Sequence, residues 1–380
     1  MMEMSLRRQC ATALIGLAIM LANPSALLAE SGLNPLQRPA MKSKLAERSV
    51  LLSIVAAGKR LVAVGERGII LLSDDNGASW RQVDVPVSVT LTAVRFASDQ
   101  KGWALGHSGV VLHSENGGET WEKQLDGGKA AALILEATKT KAQSGRYAEN
   151  EVNQKLNSAQ QYVDDGTDKP FLDIYCENEQ KVSIIGAYNL IFQTENGGVS
   201  WHPRLDHVDN PKGMHLYGIQ ALGEDLFIAG EQGHFFRSED HGKTFSALST
   251  PYEGSYFGLL PFDDRELIIF GLRGNVFKSA DRGMTWRKID LETSVSITAA
   301  AKLRDGALAL TTLSGDVLMS SDKGVTFGKL KTGPSFPLTG LTQAENGSLV
   351  LVGARGIKVI SGALELAKAS EKSDGEQNEK

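Results

Sequence analysis

One eight-residue pattern, written six times, constrains this 380-residue chain more than any other feature. It runs from a hydroxyl residue to an acid or amide two places on. A glycine, a Ser or Thr and an aromatic ring follow, as in Ser279-Ala-Asp-Arg-Gly-Met-Thr-Trp286. The acid or amide falls at Asp75, Asn116, Asn196, Asp240, Asp281 and Asp322, and the ring at Trp80, Trp121, Trp201, Phe245, Trp286 and Phe327. Each residue type suits a tight turn between strands. Asp, Asn and hydroxyl side chains bond nearby backbone amides, and glycine takes a positive φ without a steric cost. The ring opens the next strand and is expected to bury a large apolar area, Trp286 included. Four of the five tryptophans occupy this position, which marks them as structural anchors.

A second signal keeps register with the first. Short apolar runs end in Gly65-Glu-Arg-Gly68, Gly106-His-Ser-Gly109, Gly186-Ala-Tyr-Asn189, Gly230-Glu-Gln-Gly233, Gly271-Leu-Arg-Gly274, Thr312-Leu-Ser-Gly315 and Gly353-Ala-Arg-Gly356. Their spacings are 41, 80, 44, 41, 41 and 41, the 80 being one period plus 39 inserted residues. A period near 41 with four short strands per repeat predicts an all-β, seven-bladed β-propeller over residues 30–363.

The insertion, residues 127–170, has helical character. Lys129–Gln143 is rich in Ala, Leu and Lys, and Ser144-Gly145 breaks it. Tyr147–Val163 then carries Val152, Leu156, Ala159 and Val163 on one helical stripe. This predicts a helical hairpin between blades two and three. Strand direction alternates within a blade, so the hairpin shares one face of the disc with the second-to-third turns. The six repeated boxes lie on the other face. Arg67, His107, Tyr188, Gln232, Arg273, Ser314 and Arg355, with Val152 and Leu156 of the hairpin, therefore form the candidate partner-binding surface. Loops on a rigid scaffold carry function disproportionately often.

The ends of the chain differ from the repeats. Residues 1–29 have the form of an export signal, with Arg7 and Arg8 before the apolar run Ala11–Ala22 and a small residue at Ala29. That run is too short to span a bilayer comfortably, so the expected product is a periplasmic protein with no membrane span. Residues 364–380 are charged, lack aromatics and read as a disordered tail. The seventh repeat lacks a box and an outer strand. Ala40–Lys44 aligns with that missing position and is expected to complete the last blade and close the ring.

Composition narrows the chemistry. A net charge of −5 argues against a nucleic-acid partner. Loss of Cys10 with the signal leaves Cys176 alone, which excludes an intramolecular disulfide. His202, His207 and His215 share a loop with Asp206 and Asp209, but at spacings that assemble no zinc site. No nucleophile elbow, phosphate cradle or calcium loop is present, so neither a catalytic residue nor a cofactor is assigned.

The boxes resemble the Asp-boxes, or bacterial neuraminidase repeats, of sialidases and related propellers. Together with the Gly-x-x-Gly turns and the seven-fold period, the chain resembles the photosystem II stability and assembly-factor family over nearly its whole length. Asp168-Lys-Pro-Phe-Leu-Asp173 after a helical insertion looks like a non-photosynthetic subgroup of it. The resemblance implies a non-enzymatic scaffold that binds a membrane-protein complex, such as an exporter of the resistance–nodulation–division type. The alternative is a sialidase-like or other glycan-acting hydrolase. The arginine-bearing Phe/Tyr-Arg-Ile-Pro motif of sialidases is missing, and Gln37-Arg38-Pro39 stands in its place. A third reading places a small ligand in the central channel.

Overall fold

The structure, a computed structural model, describes residues 34–333 and 335–362. The expected signal peptide and C-terminal tail lie outside the described residues. Blade one shows the plan of the rest. Leu51–Ala57 is innermost, Arg60–Gly65 and Ile70–Ser73 follow, and Arg81–Gln82 is outermost, all antiparallel. Six blades have four strands each, and the seventh has three among the described residues. The inner strands of blades two to seven are Leu91–Phe96, Phe171–Cys176, Leu216–Leu222, Tyr256–Pro261, Ile297–Lys302 and Leu338–Gln343. The second strands are buried almost throughout, as strands covered on both faces must be.

The boxes fold as their composition dictates. In the first, Ser73 Oγ donates to Asp75 Oδ1 at 2.8 Å and accepts from the Gly77 amide at 2.9 Å. Asp75 also accepts from the Ser79 amide and hydroxyl at 2.9 and 2.5 Å. The backbone-amide bonds recur around Asn116, Asn196, Asp240, Asp281 and Asp322, whereas at Asn116 and Asn196 the side-chain Nδ2 donates to the Thr120 and Ser200 hydroxyls. Bonds from Ser79 and Ser73 hold the Asp75 carboxyl down to about 2. At Asp240 and Asp322 partial burial pulls upward, but bonds from Thr244 and Thr326 outweigh it and the carboxyls again sit at about 2. Burial likewise pulls Asp281 upward, and Thr285 holds it below its ordinary value.

A depressed carboxylate contributes stability that is present above its unfolded pKa, about 3.9. That contribution is lost as pH falls through the folded value near 2. Two boxes already use Asn. Replacing Asp75, Asp240, Asp281 and Asp322 together with Asn is therefore expected to keep the turns while flattening the fall of Tm between about pH 4 and pH 2. Thermal unfolding across that range checks it, and an unchanged acid slope would move the acid sensitivity elsewhere.

The rings are less uniform than expected. Trp121, Trp201 and Phe245 are buried at 5%, 4% and 2% exposure, whereas Trp80, Trp286 and Phe327 are half-buried. Trp286 meets Phe235 edge to face at 5.3 Å and is still half-buried.

Ring closure also differs from expectation. Ala40–Lys44 lies against blade one, not blade seven. The Ala40 amide donates to Val85 O at 2.9 Å, the Ser43 amide to Gln82 Oε1 at 2.9 Å, and Lys42 pairs with Asp84 at 3.2 Å. The cause is Leu36, buried among Val83, Val85, Val87 and Val89, which draws the arm over blades one and two. Blade seven instead joins blade one directly. Thr339 Oγ1 donates to Leu51 O at 2.7 Å, and Leu51, Ile54 and Leu61 share one apolar cluster with Val350 and Val352. The short turn Ala46–Arg48 seats against the last strand, Gly356–Ile360.

The insertion forms α1 (Gly127–Gln143) and α2 (Glu149–Asp164), packed together. Asp126 caps α1, accepting from the Lys129 amide at 3.1 Å, as an N-cap acid does. Ala130, Ile134 and Ala159 are buried in the same cluster as Trp103, Phe171 and Phe192, so the hairpin roots in blades two and three.

Candidate functional site

Every predicted turn residue on the insertion side is solvent-exposed: Arg67, His107, Tyr188, Gln232, Arg273, Ser314 and Arg355. In blades one to five the turn is a single 3-10 turn, and its middle residue is left-handed. Those residues are Arg67, Ser108, Tyr188, Gln232 and Arg273. His107 thus lies one place before the position equivalent to Arg67, and Ser108 occupies it. Close approach sets the flanking glycine: a Cβ on Gly65 would lie 2.1 Å from Val50 O. Of the hairpin stripe, Ala159 is buried, Val152 and Leu156 are half-buried, and Val163 is 40% exposed.

One turn is built differently. In blade three the last glycine is replaced by Asn189, so two successive side-chain-bearing residues, Tyr188 (φ 56°) and Asn189 (φ 61°), are left-handed. Such residues cost about 1–3 kcal/mol each and persist only when their surroundings hold them. Asn189 is buried, donates to Leu205 O at 2.9 Å and accepts from Asn210 at 3.0 Å. Tyr162 of α2 donates its hydroxyl to Tyr188 O at 2.7 Å, and the Tyr188 amide donates to His215 Nδ1 at 3.0 Å. Burial pushes the Tyr162 hydroxyl up to about 12, so it remains a donor. Lys169 lies 5.5 Å from the Tyr162 ring and 5.4 Å from the Tyr188 ring, and Asp165 and Asp168 bind its ammonium at 2.7 and 3.0 Å.

The Tyr188 ring itself is 50% exposed. From it an aromatic run crosses toward the channel mouth. His215 follows at 4.7 Å, Tyr217 at 6.1 Å and Phe257 at 5.8 Å, each edge to face. On the other side of Tyr188 and Asn189 a groove of 540 Å³ opens between the hairpin and the connection to blade four. Tyr147, Lys155, Tyr162, Asn189, Leu205 and Pro211 line it. Lys141 of α1 bonds Asp206 at 2.6 Å across it.

The Asp168–Asp173 motif spans this site. Asp168 and Lys169 fasten the hairpin, and Phe171 enters the core. Asp173 meets Arg95 of blade two at 3.4 Å and accepts from the Ile219 amide of blade four at 3.0 Å. Burial raises the Asp173 carboxyl, against the pull of Arg95. Asp173 is the one carboxylate among the residues lining the central channel cavity of 180 Å³. The three loop histidines have separate partners: His202 meets Ser200, His207 meets Lys243 O, and His215 meets Tyr188. Burial pushes the Cys176 thiol up to about 12, which suits a core residue. No helix among the described residues is long and apolar enough to cross a membrane.

Sequence reasoning placed Tyr188 on this face but missed Tyr162, Lys169 and His215. The replacement of the fourth turn residue by Asn189 was the available signal, since that place is glycine in the other six turns.

No curated protein matches the sequence. Among solved structures the chain is similar to YCF48 bound to D1 peptide, at 15% identity and TM-score 0.60. The likeness covers 85% of this chain and 98% of that one. YCF48 from Cyanidioschyzon merolae is similar at 14% identity and TM-score 0.58, covering 82% and 95%. A GH74 enzyme of Niastella koreensis is similar at 14% identity and TM-score 0.56, covering 83% of this chain and 43% of the enzyme. At these identities the structures attest the propeller fold. The sequence itself matches the profile of the photosynthesis system II assembly factor YCF48 over residues 72–145 and 152–327, and the chain belongs to that family.

Proposed function

We propose that this protein is an exported, non-enzymatic scaffold that binds a polypeptide segment of a membrane-protein complex on its insertion-side face. An exporter of the resistance–nodulation–division type is the complex we favour, and the periplasm the compartment. The observation that carries the reading is the Tyr188–Asn189 turn. Among the described residues only this blade's turn sets two side-chain-bearing residues in succession in the left-handed region, and residues of the hairpin and of blade four bond it with a half-exposed ring outward. An aromatic held rigidly beside a groove contributes contact area at low entropic cost. A related propeller of this family has been captured with a D1 peptide, which supports a polypeptide as the ligand class.

The hydrolase reading draws on the GH74 likeness. Glycoside hydrolysis ordinarily needs two carboxylates across the scissile bond, and the channel cavity offers Asp173, already engaged with Arg95 and Ile219. A panel of fluorogenic glycosides is expected to be left intact, and turnover of any of them would favour the hydrolase.

The binding reading is tested by capture from detergent-solubilised membranes, with bound proteins identified by mass spectrometry. Tyr188→Ala is expected to lower capture about tenfold, the cost of one aromatic anchor. Met284→Ala, at an exposed box tip on the opposite face, is expected to leave it unchanged. The reverse pattern would place the interface on the box face.

A further inference from the structure

The hydrogen bond from the Tyr188 amide to His215 fixes a protonation state. A backbone N–H only donates, so Nδ1 of His215 carries no proton and the ring's single proton is on Nε2. A protonated imidazole has donors at both nitrogens and cannot accept this bond. The carboxylate of Glu231 stands ready beside it, with Oε2 3.8 Å from Nδ1. Glu231 is itself fixed in place: its Oε2 accepts from the His215 amide at 3.2 Å, and its own amide donates to His215 O at 2.9 Å.

We propose that His215 is a proton-operated latch on Tyr188. Protonation at Nδ1 turns the acceptor into a donor, releases the Tyr188 amide and directs the imidazolium toward Glu231. Tyr188 itself then keeps the Tyr162 hydroxyl on its carbonyl and Lys169 over its ring, while Ala187 and Asn189 keep their own bonds on either side, against the cost of a left-handed tyrosine. Tyr188 loses one of the bonds that fix its pose, and the turn and its ring gain freedom on the exposed face. Histidine is the side chain whose charge ordinarily changes between about pH 5 and pH 8, which sets the range over which the latch is tested.

Among the described residues, the other groups around the imidazole offer it no second charge partner. The Tyr188 ring lies at 4.7 Å from blade three and the Tyr217 ring at 6.1 Å on its own strand. Lys169, beyond the Tyr188 ring, is met by Asp165 and Asp168. Glu231 is thus the carboxylate that the imidazolium would gain. Because the latch is a property of the free protein, it stands or falls independently of the partner.

The test uses the full chain with 15N-labelled histidine and amide exchange at Tyr188, from pH 8 to pH 5. At pH 8 the ring shifts are expected to show the Nε2–H form. On acidification the Tyr188 amide is expected to lose about fivefold protection relative to its intrinsic rate, the worth of one net hydrogen bond. His215→Asn supplies an acceptor at Oδ1 that does not titrate, so Tyr188 should stay protected throughout. Glu231→Gln should move the transition to lower pH. An Nδ1–H ring at pH 8, or Tyr188 protection that is constant through the histidine titration, would overturn the latch. If His215→Asn fails to fold, the wild-type and Glu231→Gln series decide by the same two readouts.

Discussion

Truncating Trp121 to alanine is expected to lower folding stability by about 3–5 kcal/mol, and truncating Trp286 by roughly half as much. Both rings close a box, yet they differ in what surrounds them. Trp121 is 5% exposed and packs with Leu72, Val83 and Leu112 in a cluster shared by blades one and two. It meets Phe96 edge to face at 6.1 Å, and its Nε1 donates to Gly118 O at 2.8 Å. Removing it leaves a cavity walled by two sheets, which cannot collapse without shifting a blade. Trp286 is half-buried and its indole N–H has no protein partner among the described residues, so its loss forfeits less apolar burial and no hydrogen bond. Paired denaturant titrations check the ranking. A Trp121→Ala protein within about 1 kcal/mol of wild type would show that the box ring does not hold neighbouring blades together.

The ranking could not be read from the repeat. Turn chemistry is local: a hydroxyl, an acid or amide, and a glycine bond to amides within four residues of themselves. All six boxes were therefore legible, as was the hairpin to within two residues at each end. Burial of the ring that follows is non-local and depends on the next blade. The N-terminal arm shows the same limit. Strand alignment pointed Ala40–Lys44 at blade seven, but Leu36, in a stretch with no periodicity, anchors the arm on blade one. The Tyr188 site was hidden for that reason too. Tyr162, Lys169 and His215 lie 26, 19 and 27 residues from Tyr188, and only the fold brings them to one turn. His107 and Ser108 show a smaller version, in which register within the turn decides which neighbour takes the left-handed place.

Excising Lys129–Thr167 and bridging the ends with a short Gly/Ser linker is expected to abolish capture of the membrane partner while the propeller still forms. It should not, however, leave stability untouched. The insertion joins an outer strand to the next inner strand, where other blades use short loops, and ring closure runs through blades one and seven, far from it. Those features favour a folded product. Against them, Ala130, Ile134 and Ala159 are buried on Trp103, Phe171 and Phe192, and their loss opens that apolar patch to water at a cost of about 3 kcal/mol. The excision also removes Tyr162 and Asp165, so Tyr188 O loses its donor and Lys169 keeps Asp168 alone. Loss of capture by the excised protein could then reflect either the missing hairpin or the relaxed turn. Tyr162→Phe separates the two, because it keeps the ring packing and deletes only the hydroxyl that holds Tyr188. If the turn is the recognition element, Tyr162→Phe loses most of the capture with little change in Tm, whereas the excised protein loses both. If the hairpin surface is the element, Tyr162→Phe captures as wild type does. Undiminished capture by the excised protein would remove the insertion side from the binding surface altogether.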